Sequence, residues 1–221
     1  MKKERLALLF DLDGVTIDTE PLYTLSEMRL FNEYGVEIPR EDRSLFRGCS
    51  EETFFYLSME RYGITENRST FINKGRKYVM EEFMKNIPFM PGFKDLIDRL
   101  SRNYITGLVT ASPVPVLNMI RKKLGLDNYF QYIISGEETK KNKPHPHPYL
   151  EMIRRIDVRP ENTVIIEDSI IGLRSAIASG SHVIALKGSV SIENLALAHK
   201  IVPHLDQVTI KFLEDLLLDP V

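Results

Sequence analysis

From residue 91 onward the chain alternates short, continuous apolar runs with stretches of helical periodicity. Ile105 to Val109, Tyr132 to Ile134, Thr163 to Ile166 and His182 to Leu186 read as strands. Val116 to Leu124, Tyr149 to Ile156, Ile170 to Ala178 and Ile192 to His199 read as the helices that follow them. Strands apolar at every position are buried on both faces, so this rhythm predicts an α/β fold: a Rossmann-like parallel sheet with helices on both faces. Arg5 to Phe10 is a strand of the same kind.

Residues 18–88 break the rhythm. No buried strand is evident there, and apolar residues recur at spacings of three and four over Pro21 to Tyr34, Glu51 to Tyr62 and Asn67 to Lys85. Gly35, Pro39, Gly48 and Gly63 punctuate these stretches. The pattern predicts an all-helical insertion over 18–88, with the α/β part made of 1–17 and 89–221 and resuming near Pro91-Gly92. Near the C-terminus, Leu216, Leu217 and Leu218 read as a helix face.

Composition narrows the function classes. At about 150 residues per domain, 221 residues amount to roughly one and a half domains, enough for a large core without disulfides. A net charge of -2 argues against general attraction to nucleic acid or an anionic membrane. The apolar run from Leu6 to Phe10 is too short for a signal or membrane segment, and Asp11 and Asp13 follow it at once. The only cysteine, Cys49, cannot form an internal disulfide, so a reducing cytoplasm is the expected compartment.

Four short segments carry candidate chemistry. Asp11-Leu12-Asp13-Gly14 closes the first strand, where residues two apart point the same way and the two carboxylates can converge. Such a pair needs a cation, a shared proton or solvent, and a solvated Asp-Gly turn is the plain alternative. An EF-hand loop fits poorly, because Val15 stands where a further oxygen ligand is needed. Thr110-Ala111-Ser112 suits an oxyanion, with the Thr110 hydroxyl and the amides of Ala111 and Ser112 as donors; Ser112 before Pro113 equally suits a helix N-cap. Lys143, in Lys140-Lys141-Asn142-Lys143-Pro144, can balance phosphate charge, or it belongs to a solvated charge run. His145 and His147 beside it lack the further ligands a metal pair needs. Glu167-Asp168-Ser169 closes another buried strand, and two adjacent acids there suit a hard cation such as Mg²⁺, or an Asp/Ser helix cap. All of these sit at or beyond the carboxyl ends of predicted parallel strands, where open α/β sheets bind ligands.

The order and approximate spacing of these segments resemble the four motifs of the haloacid dehalogenase-like superfamily: Asp11-Leu12-Asp13-Gly14-Val15, Thr110, Lys143-Pro144, and Glu167-Asp168-Ser169 with Gly172. Ile17-Asp18-Thr19-Glu20-Pro21-Leu22 resembles the start of the small helical cap of the subgroup containing β-phosphoglucomutase and sugar-phosphate phosphatases. The resemblance implies Asp11 as nucleophile and Asp13 as general acid and base. It places Mg²⁺ on the Asp11 carboxylate, the Asp13 carbonyl and Asp168, with Glu167 in support. Thr110, Ala111, Ser112 and Lys143 would hold the phosphoryl group, and Lys143 could also steady Asp11. The implied activity is phosphatase action on a small phosphorylated metabolite, a sugar or polyol phosphate, by a monomer or small homo-oligomer. The cap, hinged near Ile17 to Thr19 and Asn86 to Pro91, would close over substrate.

Asp13 argues for phosphate esters, because dehalogenases of the superfamily lack a second aspartate. Tyr23 stands where β-phosphoglucomutase has a cap histidine, and Glu51 follows Arg47-Gly48-Cys49-Ser50 where the mutase has an arginine. Both departures weaken the alternative of a phosphosugar mutase, while Tyr23 and Arg47 become candidate substrate contacts. His147 replaces an aspartate common among relatives, and nothing in the sequence explains it. A non-catalytic phosphate-binding regulator is the remaining alternative, and the intact Asp11, Asp13, Lys143 and Asp168 set counts against it.

Overall fold

Strand β1 (Ala7–Phe10) is buried at every residue and lies at the middle of a parallel sheet. The computed structural model describes residues 5–39, 42, 46, 51–188 and 195–219. Among these, β1 is joined by β2 (Ile105–Thr110), β3 (Tyr132–Ser135), β4 (Thr163–Glu167), β5 (His182–Leu186) and β6 (Lys200–Val202) in the order β3-β2-β1-β4-β5-β6, all pairs parallel. Phe10 is in register with Leu108 of β2 and Ile166 of β4, so the carboxyl ends of the three central strands finish side by side. The chain winds outward one way from β1 and then the other, and such a reversal is where open α/β sheets bind ligands.

The alternation along β1 sends successive side chains to opposite faces. Ala7 and Leu9 join a buried cluster with Tyr149, Met152 and Ile153 of α6 (His147–Ile156) and Leu173 of α7 (Ile170–Ile177). Phe10 packs edge-on against Phe93 of α4 (Phe93–Leu100), ring centroids 5.8 Å apart, and against Phe130 at 5.6 Å. Gly107 admits this packing on β2: a Cβ there would stand 2.8 Å from Leu9. The α/β part is completed by α5 (Val114–Leu124) and α8 (Ile210–Leu218), the latter capped by the Thr209 hydroxyl accepting from the Phe212 amide.

Two compact units emerge, one of 1–18 and 88–221, the other of 19–87. In the first, the two passages of the chain are stitched together where Asp18 N–H donates to the Pro88 carbonyl at 2.9 Å and Met90 N–H to Thr16 at 3.0 Å. The second contains α1 (Glu20–Asn32), α2 (Glu51–Tyr62) and α3 (Arg68–Lys85), with α3 capped by Asn67. Its core is aromatic: Phe31 is fully buried and meets Phe46, Phe54, Tyr62 and Phe71 at centroid distances of 5.3 to 6.2 Å.

Three local differences from the sequence pattern have physical causes. The helix expected over Ile192 to His199 falls partly outside the described residues, and 196–199 form turns and bends that lead into β6. That strand of three residues, with only Val202 buried, was too short and too exposed to register as an apolar run. The cap expected at Ser112 moves one residue on: Pro113 caps α5, and the Val114 amide is satisfied by Glu137 Oε2 at 2.9 Å.

Candidate active site

Asp11 follows directly on β1, its amide donating to the Ile166 carbonyl at 3.1 Å and its own carbonyl accepting from the Thr16 hydroxyl at 2.6 Å. These bonds hold the backbone from both sides, and the side chain is 10% exposed. Leu12 points into the core, and Gly14, at φ 76°, turns the chain away as the Asp-Gly pairing requires. Asp13 stands just before this turn, past the end of β1, in an isolated bridge with Ile17. Its Oδ2 accepts from the Ser112 hydroxyl at 3.1 Å.

Lys143 is buried between the acidic segments. Its Nζ donates to Asp11 Oδ1 at 2.5 Å, Glu167 Oε1 at 2.7 Å and the Val109 carbonyl at 2.9 Å. Glu167 is fully buried at the end of β4. Its Oε1 also accepts from the Tyr149 hydroxyl at 2.6 Å, while Oε2 receives the Asp168 amide and Ser169 hydroxyl, each at 3.3 Å. Gly172 makes room for this carboxylate, since a Cβ there would stand 2.0 Å from Oε2. Ser169 caps α7 as well, accepting from Gly172 N–H at 3.1 Å, so the same segment caps the helix and sets two acids at the end of β4.

Three carboxylates share this small volume. Asp11, Glu167 and Asp168 each offer an oxygen, all within 4.8 Å of one another, the one such group of three among the described residues. Burial, and then the Glu167 charge, push the Asp11 carboxyl up to about 8. Burial, Asp11 and Glu167 likewise raise Asp168 well above the ordinary carboxylate range. Burial opposes the Lys143 charge, but Asp11 and Glu167 outweigh it and hold the ammonium protonated. One ammonium faces two buried carboxylates, Asp11 and Glu167, and a half-buried third, Asp168, and all-oxygen donors suit a hard divalent cation such as Mg²⁺. Both Glu167 oxygens are engaged by donors, so Asp11 and Asp168 are the carboxylates that could hold such an ion.

The remaining expected residues divide. Thr110, 1% exposed, ends β2, and its Oγ1 accepts from the Ser112 amide at 3.0 Å; the hydroxyl proton stays available, but that amide is spent. Ala111 is exposed, with its carbonyl accepting from the Asn142 side-chain Nδ2 at 3.4 Å. Ser112 is held by the Ser135 hydroxyl, which donates to its carbonyl at 2.7 Å. Tyr23 lies in the helical unit, edge-on to Phe83 at 5.5 Å. Arg47 and Cys49 fall outside the described residues, as does the Glu51 side chain. The His145 and His147 rings are 4.2 Å apart, and His145 Nδ1 accepts from the His147 amide at 3.2 Å.

The sequence pattern places Tyr149 at the start of a helix and gives it no role in the site. The signal was there in part: a phenol on an apolar helix face must bring a partner for its hydroxyl inside. Ser135 and Thr16 carried no comparable signal.

Comparison with known proteins agrees with this geometry. Residues 8–186 match the haloacid dehalogenase-like hydrolase family. A phosphorylated carbohydrates phosphatase of Thermotoga maritima is 30% identical over 178 residues, covering 79% of this chain and 81% of its own. Hexitol phosphatase B of Escherichia coli K12 is 26% identical over 182 residues, covering 80% and 81%. The fold is shared with β-phosphoglucomutase of Clostridium difficile, at a TM-score of 0.79 and 23% identity over 96% of this chain and 97% of that one.

Proposed function

The chain belongs to the haloacid dehalogenase-like hydrolases, and on that footing we propose that it is a Mg²⁺-dependent phosphatase of a small phosphorylated metabolite, a sugar or polyol phosphate, acting in the cytoplasm. The observation that carries this reading is the pairing of Asp11 with Lys143 beside an Asp13 held by Ser112. Phosphatase relatives acting on phosphorylated carbohydrates and hexitols support the substrate class.

One Asp11 oxygen is bound to Lys143, which orients the carboxylate as a nucleophile toward phosphorus. As the bond from phosphorus to the ester oxygen breaks, Asp13 gives its proton to the departing alcohol and the phosphoryl group is left on Asp11. Asp13, now a carboxylate, takes a proton from the water that attacks this aspartyl-phosphate, releasing inorganic phosphate and restoring Asp11. The Thr110 hydroxyl and Lys143 supply donors to the phosphoryl oxygens, with the Ala111 and Ser112 segment beside them. Mg²⁺, held by Asp11, Asp168 and the Asp13 carbonyl with Glu167 behind, would neutralise the repulsion between carboxylate and phosphate. Residues 1–17 and 89–221 form the catalytic core in this reading. Residues 18–88 form the cap that selects the alcohol, with Tyr23 and Arg47 as contacts.

The test is phosphate release from a panel of sugar and polyol phosphates, with Mg²⁺ and with a chelator. Turnover that requires Mg²⁺ and vanishes in Asp11→Asn is expected; no hydrolysis of any phosphomonoester, or an undiminished Asp11→Asn rate, overturns the reading. An isomerised sugar phosphate in place of free phosphate would assign a mutase instead.

A further inference from the structure

An ammonium group has three protons to donate and no more. Lys143 spends them on Asp11 Oδ1, Glu167 Oε1 and the Val109 carbonyl. A phosphoryl oxygen can therefore gain a bond from Lys143 only if one of these acceptors is released. Releasing Asp11 would free the nucleophile to rotate just when it must be aimed. Releasing Glu167 would strip its cation from a carboxylate oxygen that has no access to water, among the costliest things a folded protein can do.

Tyr149 alters that balance. Its hydroxyl donates to the same Oε1 at 2.6 Å, from a side chain that is itself fully buried and fixed in the core beneath β1. Oε2 is held independently by the Asp168 amide and the Ser169 hydroxyl. When the ammonium turns away, Glu167 thus keeps a short hydrogen bond on Oε1 and two longer ones on Oε2. The Tyr149 ring also lies 4.9 Å from Nζ, within reach of a cation–π contact that does not depend on where the N–H bonds point.

Building on the phosphatase reading above, we infer that Tyr149 is a positioning residue: by holding Glu167 Oε1, it allows Lys143 to exchange Glu167 for a phosphoryl oxygen while remaining paired with Asp11. It acts through Glu167 and Lys143. The exchange occurs when the dianion binds, so its cost falls on binding.

Tyr149→Phe removes only the hydroxyl. With Mg²⁺ present, the KM for a phosphomonoester and the Ki for inorganic phosphate are expected to rise about tenfold, with kcat within about threefold of wild type. In a Glu167→Gln background the released oxygen is uncharged, and adding Tyr149→Phe should raise the phosphate Ki by less than about threefold. A structural defect would instead lower the folded fraction, reducing kcat and the thermal midpoint while leaving KM and Ki in place. That outcome, or an unchanged Ki, overturns the role of Tyr149 while wild-type turnover leaves the phosphatase reading standing. Absence of turnover and of phosphate binding in the wild type overturns both.

Discussion

Gly14 and Asp168 meet across the end of the sheet with no space for another atom: a Cβ on Gly14 would stand 2.0 Å from Asp168 Oδ2. The fit joins the turn after β1 to the acidic end of β4. It explains why the chain needs glycine here on two counts, the positive φ of 76° and the close approach of a carboxylate.

Gly14→Ala should therefore cost more than strain. A left-handed backbone at a non-glycine residue costs about 1–2 kcal/mol, and displacing Asp168 should lower kcat by roughly 100-fold or more. Gly35→Ala is the control, with φ 68° and nothing within 4 Å of an added Cβ. It should show the strain in urea denaturation and leave kcat unchanged. Equal kcat values for the two variants would refute a role for the Gly14–Asp168 fit.

Lys143 is the counter-charge of a buried cluster, with a side chain 2% exposed. Its replacement by methionine keeps the length and deletes the charge, leaving Asp11 and Glu167 uncompensated. Loss of one partner from such a group typically costs about 3–5 kcal/mol, and Mg²⁺ should restore part of it. Urea denaturation with Mg²⁺ and with a chelator measures both effects. A Lys143→Met protein as stable as wild type without Mg²⁺ would show that the cluster is already relaxed by other means.

The hydroxyl of Ser112 reaches Asp13 Oδ2, and the Ser135 hydroxyl holds the Ser112 carbonyl in turn. Ser112→Ala should loosen the general acid without removing it, lowering kcat about tenfold, whereas Asp13→Ala should lower it by about 10²–10⁴. Steady-state kinetics on one substrate separates them. Ser112→Ala kinetics identical to wild type would remove Ser112 from the positioning of Asp13.

Away from the site, His182 and His199 stand with rings 5.7 Å apart, and His182 is 1% exposed with Nδ1 unpartnered. Burial lowers both imidazoles below their ordinary value; His199 adds to the effect at His182, and Lys200 adds at His199 against an opposing pull from Asp219. Below about pH 6.5 the unfolded chain then takes up protons that the folded one refuses. Stability is complete above that pH and is lost as the pH falls toward the lowered folded values. Denaturation between pH 7.5 and 5.5 should show the decline, with a shallower slope in His182→Gln; an identical slope would place the titration elsewhere.

Much of this was legible from local pattern. Strands β1 and β3 to β5 announce themselves by runs of adjacent apolar residues, because a strand covered on both faces has no polar side to show. The acids at Asp11, Asp13, Glu167 and Asp168 stand out because charge at the end of such a run needs a reason. β6 did not stand out: two of its three residues face water, and its place was settled by pairing with β5.

The sequence by itself determined which side chains stand at the carboxyl end of the sheet, since strand ends, turn glycines and helix starts are decided within a few neighbouring residues. It also carried the family's four ordered motifs. Tertiary structure alone decided who pairs with whom. Lys143 lies 132 positions from Asp11 and 24 from Glu167, and it reaches both because parallel pairing brings β1 and β4 side by side. The same packing turned Tyr149 from an apolar helix residue into the second donor on Glu167, and spent the Ser112 amide on Thr110. Hydrogen bonds are satisfied by proximity in space, and in a buried site every donor must find its acceptor wherever the fold has brought one.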